Sequence, residues 1–338
     1  MKIIVDAMGG DNAPLEIVKG SLRASRELDL DIVLTGREEE ILRCLRELGC
    51  SGAPERVSIV NATEVIEMDD EPSMAYRRKP DSSMTVGLNL LKNGEGDAFV
   101  SAGSTGALLS GATLVVKRIR GVRRAALAPL LPTKTGHVMV IDVGANVDCA
   151  PEHLVQFALL GSGYMKGVMK LDAPKVGLLN NGTEETKGGT LQLETYPLLK
   201  QLHEEGKINF FGNVEAKDVM QGVCDVVVCD GFSGNILLKG IEGSVSFMLG
   251  LLKELLTDSA KNKAAALLVR KDLYGLKDRM SASKVGGTAL LGISKPVIKA
   301  HGSSDAEAFF NAVRQASVAA GSGMIETVTQ QLKHTEES

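Results

Sequence analysis

Short β-forming runs alternate with helical patterns along the whole chain, and this alternation constrains the fold more than any other sequence feature. Several runs are apolar without a polar alternation, which is typical of strands buried on both faces of a sheet. Helical patterns lie between them, such as the one after Pro14, a residue well suited to a first helical turn. The sequence therefore predicts an α/β fold with a doubly wound, mostly parallel sheet. The predicted strands are 2–8, 31–36, 57–62, 98–103, 137–144, 175–182, 208–215, 225–231 and 296–302.

Loops rich in Gly, Asp, Asn, Ser and Thr follow most of these strands. In an open parallel sheet the carboxyl ends of the strands share one edge, and ligands bind there. One such loop is usually a plain turn, but many polar loops at one edge predict a binding rim. These loops are 6–14, 101–107, 142–148, 180–189, 212–218, 230–235 and 300–305.

Composition and charge exclude several classes of protein. The chain has 338 residues, 44% of them hydrophobic, so it can bury a large core. Its net charge is -4 and it has no Trp, so we expect no nucleic-acid partner. The five cysteines are scattered without a C-x-x-C pair, which indicates reduced thiols in a cytoplasmic protein. The apolar stretch 106–116 is about half a membrane span, so we expect no transmembrane segment there.

The usual catalytic and cofactor motifs are missing. No G-x-G-x-x-G follows a strand, and G-x-x-x-x-G-K-[ST], H-E-x-x-H and G-x-S-x-G do not occur. We therefore expect no cofactor, no metal and no Ser or Cys nucleophile. The loop at 101–107 instead joins a strand to a helix, where free N–H groups, hydroxyls and the helix dipole suit a phosphate. The same residues also make good helix caps, so this signal is weak alone.

Nine stretches of the chain resemble, in the same order, the bacterial phosphate acyltransferases of phospholipid synthesis. The resemblance covers essentially the whole chain, and no single motif carries it. It implies transfer of a long-chain fatty acyl group from acyl carrier protein to inorganic phosphate. It also implies a homodimer whose fold is similar to the phosphotransacetylases and the isocitrate and isopropylmalate dehydrogenases. The stretches are 3–14, 77–84, 100–108, 126–133, 142–158, 177–188, 210–218, 226–239 and 296–305.

The implied reaction needs no covalent acyl-enzyme, because phosphate is itself the nucleophile. The protein has to orient phosphate, stabilise the oxyanion of the tetrahedral intermediate and assist the leaving thiolate. Lys187 lies in a Gly-rich loop, and His301 follows a strand and belongs to the residue type that titrates near neutral pH. The residues predicted to be catalytic are Lys187, His301, Asp230 and Asn235.

Phosphate or substrate binding is predicted for a second set at the same strand ends. The acids in it hold loops and orient basic side chains, with a divalent-metal site as the less favoured alternative. The amides either donate to the substrate or adopt turn conformations, and the sequence does not separate these roles. The set is Asp6, Gly9, Gly10, Arg77, Arg78, Ser101, Gly103, Ser104, Thr105, Gly106, Asn146, Glu184, Asn213 and Lys299.

The segment 246–279 is predicted to protrude as a helical pair from a single two-lobed domain that covers 1–332, with 333–338 as a frayed tail. Its apolar run is flanked by basic residues, which suits an anionic bilayer or the acidic surface of a carrier protein. A buried dimer helix is the alternative. Contact with the membrane or the carrier is predicted for Leu267, Leu268, Val269 and Lys271.

The sequence begins without a signal-peptide pattern, so we expect a cytoplasmic protein, and the segment 246–279 predicts peripheral association with the inner face of the cell membrane. The resemblance implies that the product passes to a membrane acyltransferase. Two other functions stay open: a nicotinamide-dependent dehydrogenase of the same broad fold, and a non-catalytic adaptor that binds a carrier protein or lipid. The dehydrogenase requires an adenine–ribose site, which the sequence does not display. The adaptor requires that the polar rim at the strand ends has no catalytic role.

Overall fold

A computed structural model of the chain describes residues 1–279 and 286–336. The strands are β1 (Lys2–Asp6), β2 (Asp31–Gly36), β3 (Val57–Asn61), β4 (Ala98–Ser101), β5 (Ala126–Ala128), β6 (Leu130–Pro132), β7 (His137–Ile141), β8 (Lys175–Asn180), β9 (Asn209–Glu215), β10 (Val226–Val228), β11 (Thr288–Leu291) and β12 (Val297–Lys299). The helices are α1 (Leu15–Leu28), α2 (Glu38–Glu47), α3 (Ala75–Arg78), α4 (Ser83–Asn93), α5 (Thr105–Gly111, extended by a π-helical turn at Ala112–Val116), α6 (Pro151–Gly167), α7 (Thr190–Glu204), α8 (Ala216–Val219), α9 (Gly231–Thr257), α10 (Ala260–Leu268), α11 (Arg270–Arg279), α12 (Ala306–Gly321) and α13 (Met324–Glu336).

The strands form two sheets, and most of the strand pairs are parallel. The first sheet has the order β3-β2-β1-β4-β12-β11-β5, and the second has the order β6-β7-β10-β8-β9. The antiparallel pairs are β11 with β12, β11 with β5, and β6 with β7. The predicted α/β fold with a mostly parallel sheet is therefore confirmed, although the sheet is divided in two.

Strands β5, β6 and β11 were not predicted, and each of them pairs antiparallel. β5 and β6 have only three residues each, which is too short for a periodic pattern to be visible in the sequence. They connect the two sheets, because β5 ends the first sheet, β6 begins the second, and only Pro129 lies between them. The backbone N–H of Val143 donates to the carbonyl of Leu127 at 3.1 Å, which ties this junction to the end of β7.

Apolar side chains fill both faces of the sheets. One buried cluster includes Ile3 and Val5 of the first sheet together with Val176 and Val226 of the second, so a single core runs across both sheets. A second cluster lies on the other face. Because helices cover both faces, the polar groups of the parallel strands meet solvent chiefly at the strand ends.

Helices α9 and α10 are far more exposed than the rest of the described chain, and α11 follows them. In α9 only Gly231 and Gly234 are buried, and α10 has no buried residue. By length and composition alone, α9 is the one helix among the described residues that is long and apolar enough to cross a membrane. The arm predicted at 246–279 falls on these helices, and its role stays a prediction. Of the predicted tail, residues 337–338 lie outside the described residues, whereas 333–336 belong to α13.

Candidate active site

Three loops at the carboxyl ends of β1, β4 and β12 meet at one edge of the first sheet. The backbone N–H of Asp11 donates to the carbonyl of Gly302 at 2.8 Å, and the side-chain amide of Asn12 donates to the carbonyl of Ser303 at 3.1 Å. The hydroxyl of Ser101 donates to Asp6 Oδ2 at 2.6 Å. We call residues 6–14, 101–107 and 299–305 the first rim.

Glycines allow these loops to approach one another. A Cβ on Gly9 would lie 2.7 Å from the backbone nitrogen of Gly103, which is closer than real Cβ atoms come. Gly10 has a φ of +106°, and a Cβ there would lie 2.9 Å from the Cβ of Ala102. Both positions therefore require glycine for close packing of the first rim, whatever their role in binding.

Asp6 and Ser101 form the buried base of the first rim. Both side chains are almost completely inaccessible to solvent, and neither lines the open cleft described below. Burial raises the pKa of Asp6, while hydrogen bonds from Ser101, Ser83 and the backbone of Met8 and Gly9 partly oppose this. The structure thus places these two predicted binding residues where they hold the loops together.

Lys299 is the buried cation of the first rim. Its side chain is 8% exposed, and its Nζ donates to the carbonyls of Ala102, at 3.2 Å, and of Ala300. Desolvation by burial lowers the pKa of Lys299 to about 8, and the nearby Asp6 and Asp11 oppose this shift. A lysine held in this way is charged near neutral pH while it is largely removed from water, so a bound anion would stabilise it.

His301 lies at the exposed end of the same loop. Its Nδ1 accepts from the backbone N–H of Ser303 at 3.2 Å and lies 2.8 Å from the hydroxyl of Ser303. Because Nδ1 is an acceptor in this arrangement, the neutral ring carries its proton on Nε2. His301 therefore presents an N–H donor away from its own loop.

Helix α5 begins within the first rim. The Ser104 side chain caps the helix by accepting from the backbone N–H of Ala107, and the N–H of Gly103 donates to the hydroxyl of Ser101 at 3.0 Å. In the part of the chain that the structure describes, the first-turn N–H groups of Thr105 and Gly106 have no hydrogen-bond acceptor. Gly103, Ser104, Thr105 and Gly106 were predicted to bind at this helix start. Of these four, Thr105 and Gly106 keep backbone N–H donors for a ligand.

Asp142 organises the rim of the second sheet. It is fully buried and accepts from the backbone N–H of Leu127 at 2.8 Å, from that of Asn146 at 2.6 Å and from the side-chain amide of Asn146 at 3.0 Å. Burial raises the pKa of Asp142, and these bonds oppose the shift. Asn146 also donates to the carbonyl of Ala125, so its amide fixes β5 rather than facing the cleft.

Asp142 was missed as a functional candidate from the sequence. The available signal was its position directly after the apolar strand β7. It holds both β5 and the loop after β7, so it positions parts of the cleft from two directions.

Asp230 and Asn235 lie at the beginning of α9. The Asp230 carboxylate accepts from the backbone N–H of Ser233 at 2.8 Å and from its hydroxyl at 2.7 Å, which is a helix cap. Asn235 is exposed one turn later and lines the cleft. The structure thus gives Asp230 a positioning role and leaves Asn235 facing the site.

The loop after β8 lies outside the cleft. Asn180 donates to the carbonyl of Lys187 at 3.1 Å, and Asn213 donates to the carbonyl of Glu184 at 2.8 Å. The side chain of Lys187 is exposed, and neither it nor Glu184 or Asn213 lines the cleft. The sequence grouped Lys187 with His301, but the cleft brings together His301 and Lys299 instead.

Arg77 and Arg78 of α3 also lie outside the cleft. Arg78 forms an ion pair with Glu71 at 3.1 Å, and the Arg77 guanidinium lies 5.5 Å from the centre of the Tyr76 ring. Both arginines are exposed, so they are available to a partner at the surface but not to a ligand between the rims.

A cleft of about 880 Å³ lies between the first rim, the β5–β6 junction and the first half of α9. Its polar side includes Asp11, Thr105, Lys299 and His301, and Asn235 faces it from α9. Its other side is lined by apolar residues, chiefly leucines. Within residues 1–279 and 286–336, no group of three or more His, Cys, Asp or Glu side chains is placed to hold a metal ion.

The segment predicted to contact a membrane or carrier is exposed. Leu268 is 88% exposed and Leu267 is 70% exposed, while Val269 and Lys271 also reach solvent. An apolar groove of about 670 Å³ lies between α9 and α10 and is lined by residues that include Leu252, Leu256 and Leu267. This surface is separate from the cleft.

Comparisons with known proteins agree with this architecture. A family model described as fatty acid synthesis protein matches residues 1–327. A phosphate acyltransferase of Geobacillus thermodenitrificans is 49% identical over 337 residues, which cover 99% of this chain and 100% of the relative. A phosphate acyltransferase of Caldanaerobacter subterraneus is 45% identical over 336 residues, which cover 99% of this chain and 98% of the relative.

Solved structures share the fold at low sequence identity. A phosphotransacetylase from Streptococcus pyogenes superposes with a TM-score of 0.61 at 19% identity, covering 98% of this chain and 94% of that one. A 4-hydroxythreonine-4-phosphate dehydrogenase from Klebsiella pneumoniae gives a TM-score of 0.53 at 14% identity, covering 95% of this chain and 99% of that one. The predicted likeness to the phosphotransacetylase fold and to a dehydrogenase fold is confirmed.

Proposed function

The chain belongs to the fatty acid synthesis protein family, and on that premise we propose how its cleft transfers an acyl group to phosphate. It is an acyltransferase enzyme of the phosphate acyltransferase kind. We propose inorganic phosphate as the acceptor and a long-chain acyl thioester of acyl carrier protein as the donor. The observation that carries this assignment is the cleft itself, where one buried cation and several donors face an apolar wall.

Phosphate binds at the polar side in this proposal. The charged Nζ of Lys299 attracts the anion, and the hydroxyl of Thr105 and the unpaired N–H groups at the start of α5 donate to its oxygens. The dipole of the helix favours a negative charge at the same place. Because Lys299 is largely removed from water, its interaction with phosphate is stronger than that of an exposed lysine.

The thioester carbonyl lies between phosphate and α9. A phosphate oxygen forms a bond to the carbonyl carbon, and the carbonyl π electrons move to oxygen. When the tetrahedral intermediate collapses, the carbon–sulfur bond breaks and its electron pair leaves with the thiolate, which takes a proton from solvent. The Nε2–H of His301 and the side-chain amide of Asn235 are the donors proposed for the oxyanion, since both residues line the cleft.

The decisive experiment uses acyl carrier protein charged with a hexadecanoyl group. The enzyme is incubated with it in the presence and absence of phosphate, and acyl phosphate is trapped with hydroxylamine. We expect phosphate-dependent consumption of the thioester and a matching yield of hydroxamate. Thioester loss without phosphate dependence would contradict the proposed acceptor, and no loss at all would favour an adaptor. Absorbance of reduced nicotinamide tests the dehydrogenase alternative.

A homodimer is proposed from the outer face of α9. Ile236, Phe247, Met248, Leu251 and Leu255 recur on the side of the helix away from the cleft, and all are exposed. An exposed apolar stripe of this kind is typical of an interaction surface, and a second copy of the chain carries the same stripe for a symmetric interface. Light scattering of a Met248→Glu, Leu255→Glu variant should report a monomer.

Reversible contact with the cytoplasmic face of the membrane is proposed for the tip of α10. Its exposed Leu267, Leu268 and Val269 are followed by Lys271, and basic residues are in excess between 253 and 279. Apolar side chains flanked by cations suit an anionic bilayer, and two copies on a dimer add avidity. Acyl phosphate is amphiphilic, so we propose that it passes to a membrane acyltransferase from this position. The acidic surface of a carrier protein is the other partner that fits.

A further inference from the structure

The cleft has two chemically different sides, and the proposed phosphate site uses only one of them. Leu127, Leu130, Leu131 and Val143 each line the cleft while being less than a tenth exposed. Leu127, Leu131 and Val143 belong to one buried cluster, and their edges form an apolar wall of the cleft, whereas Leu130 lines the cleft from the cluster on the other face. Half-buried Leu238 of α9 also lines the cleft.

Asp142 and helix α9 fix the position of the apolar wall. Asp142 accepts from the backbone N–H of Leu127 and from that of Asn146, so β5 is tied to the loop after β7. Leu238 follows Asn235 by three residues in α9, and residues at this spacing are neighbours on one helix face. The amide proposed for the oxyanion and the side chain of Leu238 thus point into one space.

We propose that this wall binds the acyl chain of the substrate and that Leu238 is a residue that determines acyl chain length. The inference rests on the proposed function, because the chain enters the cleft attached to the thioester. An inorganic anion gains nothing from an apolar surface, whereas each methylene transferred from water to such a surface raises affinity about fourfold. The cleft volume of about 880 Å³ leaves room for a chain beside phosphate.

The groove between α9 and α10 is the competing place for the chain. Its first residue on α9 is Leu249, whereas the last cleft residue on that helix is Glu242. About 10 Å of helix separates the two, at 1.5 Å per residue. A chain that starts at the reacting carbonyl meets the wall at once and would reach the groove only after crossing this gap. The wall is therefore the better site.

The test compares octanoyl and hexadecanoyl carrier protein as donors. Docking of the carrier is common to both, so the ratio of the two kcat/KM values reports the chain alone. We expect Leu238→Trp to lower the hexadecanoyl-to-octanoyl ratio about tenfold, because the larger ring fills space along the wall that only the longer chain needs in full. Leu193→Trp carries the same ring on the exposed side of α7, outside the cleft, and should leave the ratio unchanged.

A second variant tests the inference if Leu238→Trp has a much lower melting temperature than the wild type. Leu238→Ala removes apolar area from the wall, and the longer chain depends on that area more, so the ratio should again fall, by about threefold or more. An unchanged ratio in folded Leu238 variants would overturn the inference. So would a shift in the ratio caused by Leu256→Trp in the groove and not by Leu238→Trp. If the wild type forms no acyl phosphate from either donor, it is the proposed function that fails.

Discussion

The cleft and the arm at 246–279 are joined by one helix, yet they are built in opposite ways. Around the cleft, the polar groups of Asp6, Asp142 and Asp230 are bonded within the protein, and Lys299 is held against backbone carbonyls. In the arm, α10 buries no residue. The polar groups around the cleft are thus satisfied within one chain, whereas the partners that we propose for the apolar surface of the arm lie outside it. Activity should depend on the first region and attachment on the second.

The largest effect should come from the buried cation. Lys299→Met removes the charge proposed to bind phosphate and to stabilise the transition state, so we expect turnover to fall by about 10² to 10³. Stability should not fall, because the folded state disfavours the charged form of this lysine. Single-turnover formation of acyl phosphate and thermal melting measure the two quantities.

Lys187→Met is the matched control for that variant. Lys187 is exposed and does not line the cleft, so turnover should stay within about threefold of wild type. A loss as large as that of Lys299→Met would return Lys187 to the site and would show that the cleft closes around the loop after β8.

The same lysine should make stability depend on pH. Burial lowers the pKa of Lys299 to about 8, whereas an unfolded lysine titrates near about 10.4. Between these values the unfolded state binds more protons, so the free energy of unfolding should rise with pH, by at most about 3 kcal/mol. Below about pH 8 the charged, buried Lys299 destabilises the folded state by the full amount. At about pH 10.4 this destabilisation has disappeared, because the lysine is then neutral in the folded state.

Denaturant unfolding of wild type and Lys299→Met at several pH values isolates this contribution as a difference. Saturating phosphate should reduce the rise, because the anion stabilises the charged lysine. A pH dependence that is identical in both proteins would contradict the assignment to Lys299.

The arm should govern membrane attachment without governing chemistry. A Leu267→Glu, Leu268→Glu variant should bind anionic vesicles about tenfold or more weakly than wild type, since two apolar side chains lose their burial and gain repulsion. Turnover with soluble carrier protein should change by less than about threefold. Vesicle co-sedimentation and light scattering are the measurements.

Leu193→Glu with Leu198→Glu controls for the added charge, because both leucines are exposed on α7, away from the arm. Equal vesicle binding by a Leu267, Leu268 variant that is still dimeric would refute the membrane role. Loss of the dimer would instead assign these leucines to the subunit interface.

The smallest effect should come from the start of α5. Thr105→Ala removes one hydroxyl donor, so we expect the KM for phosphate to rise about threefold to tenfold while the KM for acyl carrier protein stays unchanged. Equal changes in both constants would make the loop a general structural element.

Replacing Gly103 by Val is a poor test of the same loop. A Cβ at Gly103 would lie 2.9 Å from the Met84 side chain and 3.4 Å from Asp6. This variant should report a packing defect in the first rim, seen as a lower melting temperature, before it reports phosphate binding.

Much of the fold could be predicted because it depends on local patterns. All nine predicted strands are present, since apolar runs of this length bury both faces in a parallel sheet. The three missed strands are short and antiparallel, and they form because neighbouring strands supply hydrogen bonds to them. Their own residues carry no pattern that separates them from loops.

The candidate site was predicted less completely, because the sequence does not show which of the polar loops come together in space. His301, Lys299 and Thr105 line the cleft as the rim hypothesis requires, and Asn235 joins them from α9. Lys187 had an equally suggestive loop, and nothing local separates it from the others.

The sequence by itself determined which segments become strands, which loops end them and which side chains cap the helices, because those choices depend on interactions within a few residues. Only the tertiary structure decided which loops meet. The Ser101–Asp6 hydrogen bond joins residues 95 apart, and the bond from Lys299 to Ala102 joins residues 197 apart. Strand order and the β5–β6 junction create these contacts. The lowered pKa of Lys299 and the apolar wall of the cleft have the same origin. Both depend on which residues, distant in sequence, pack around these side chains.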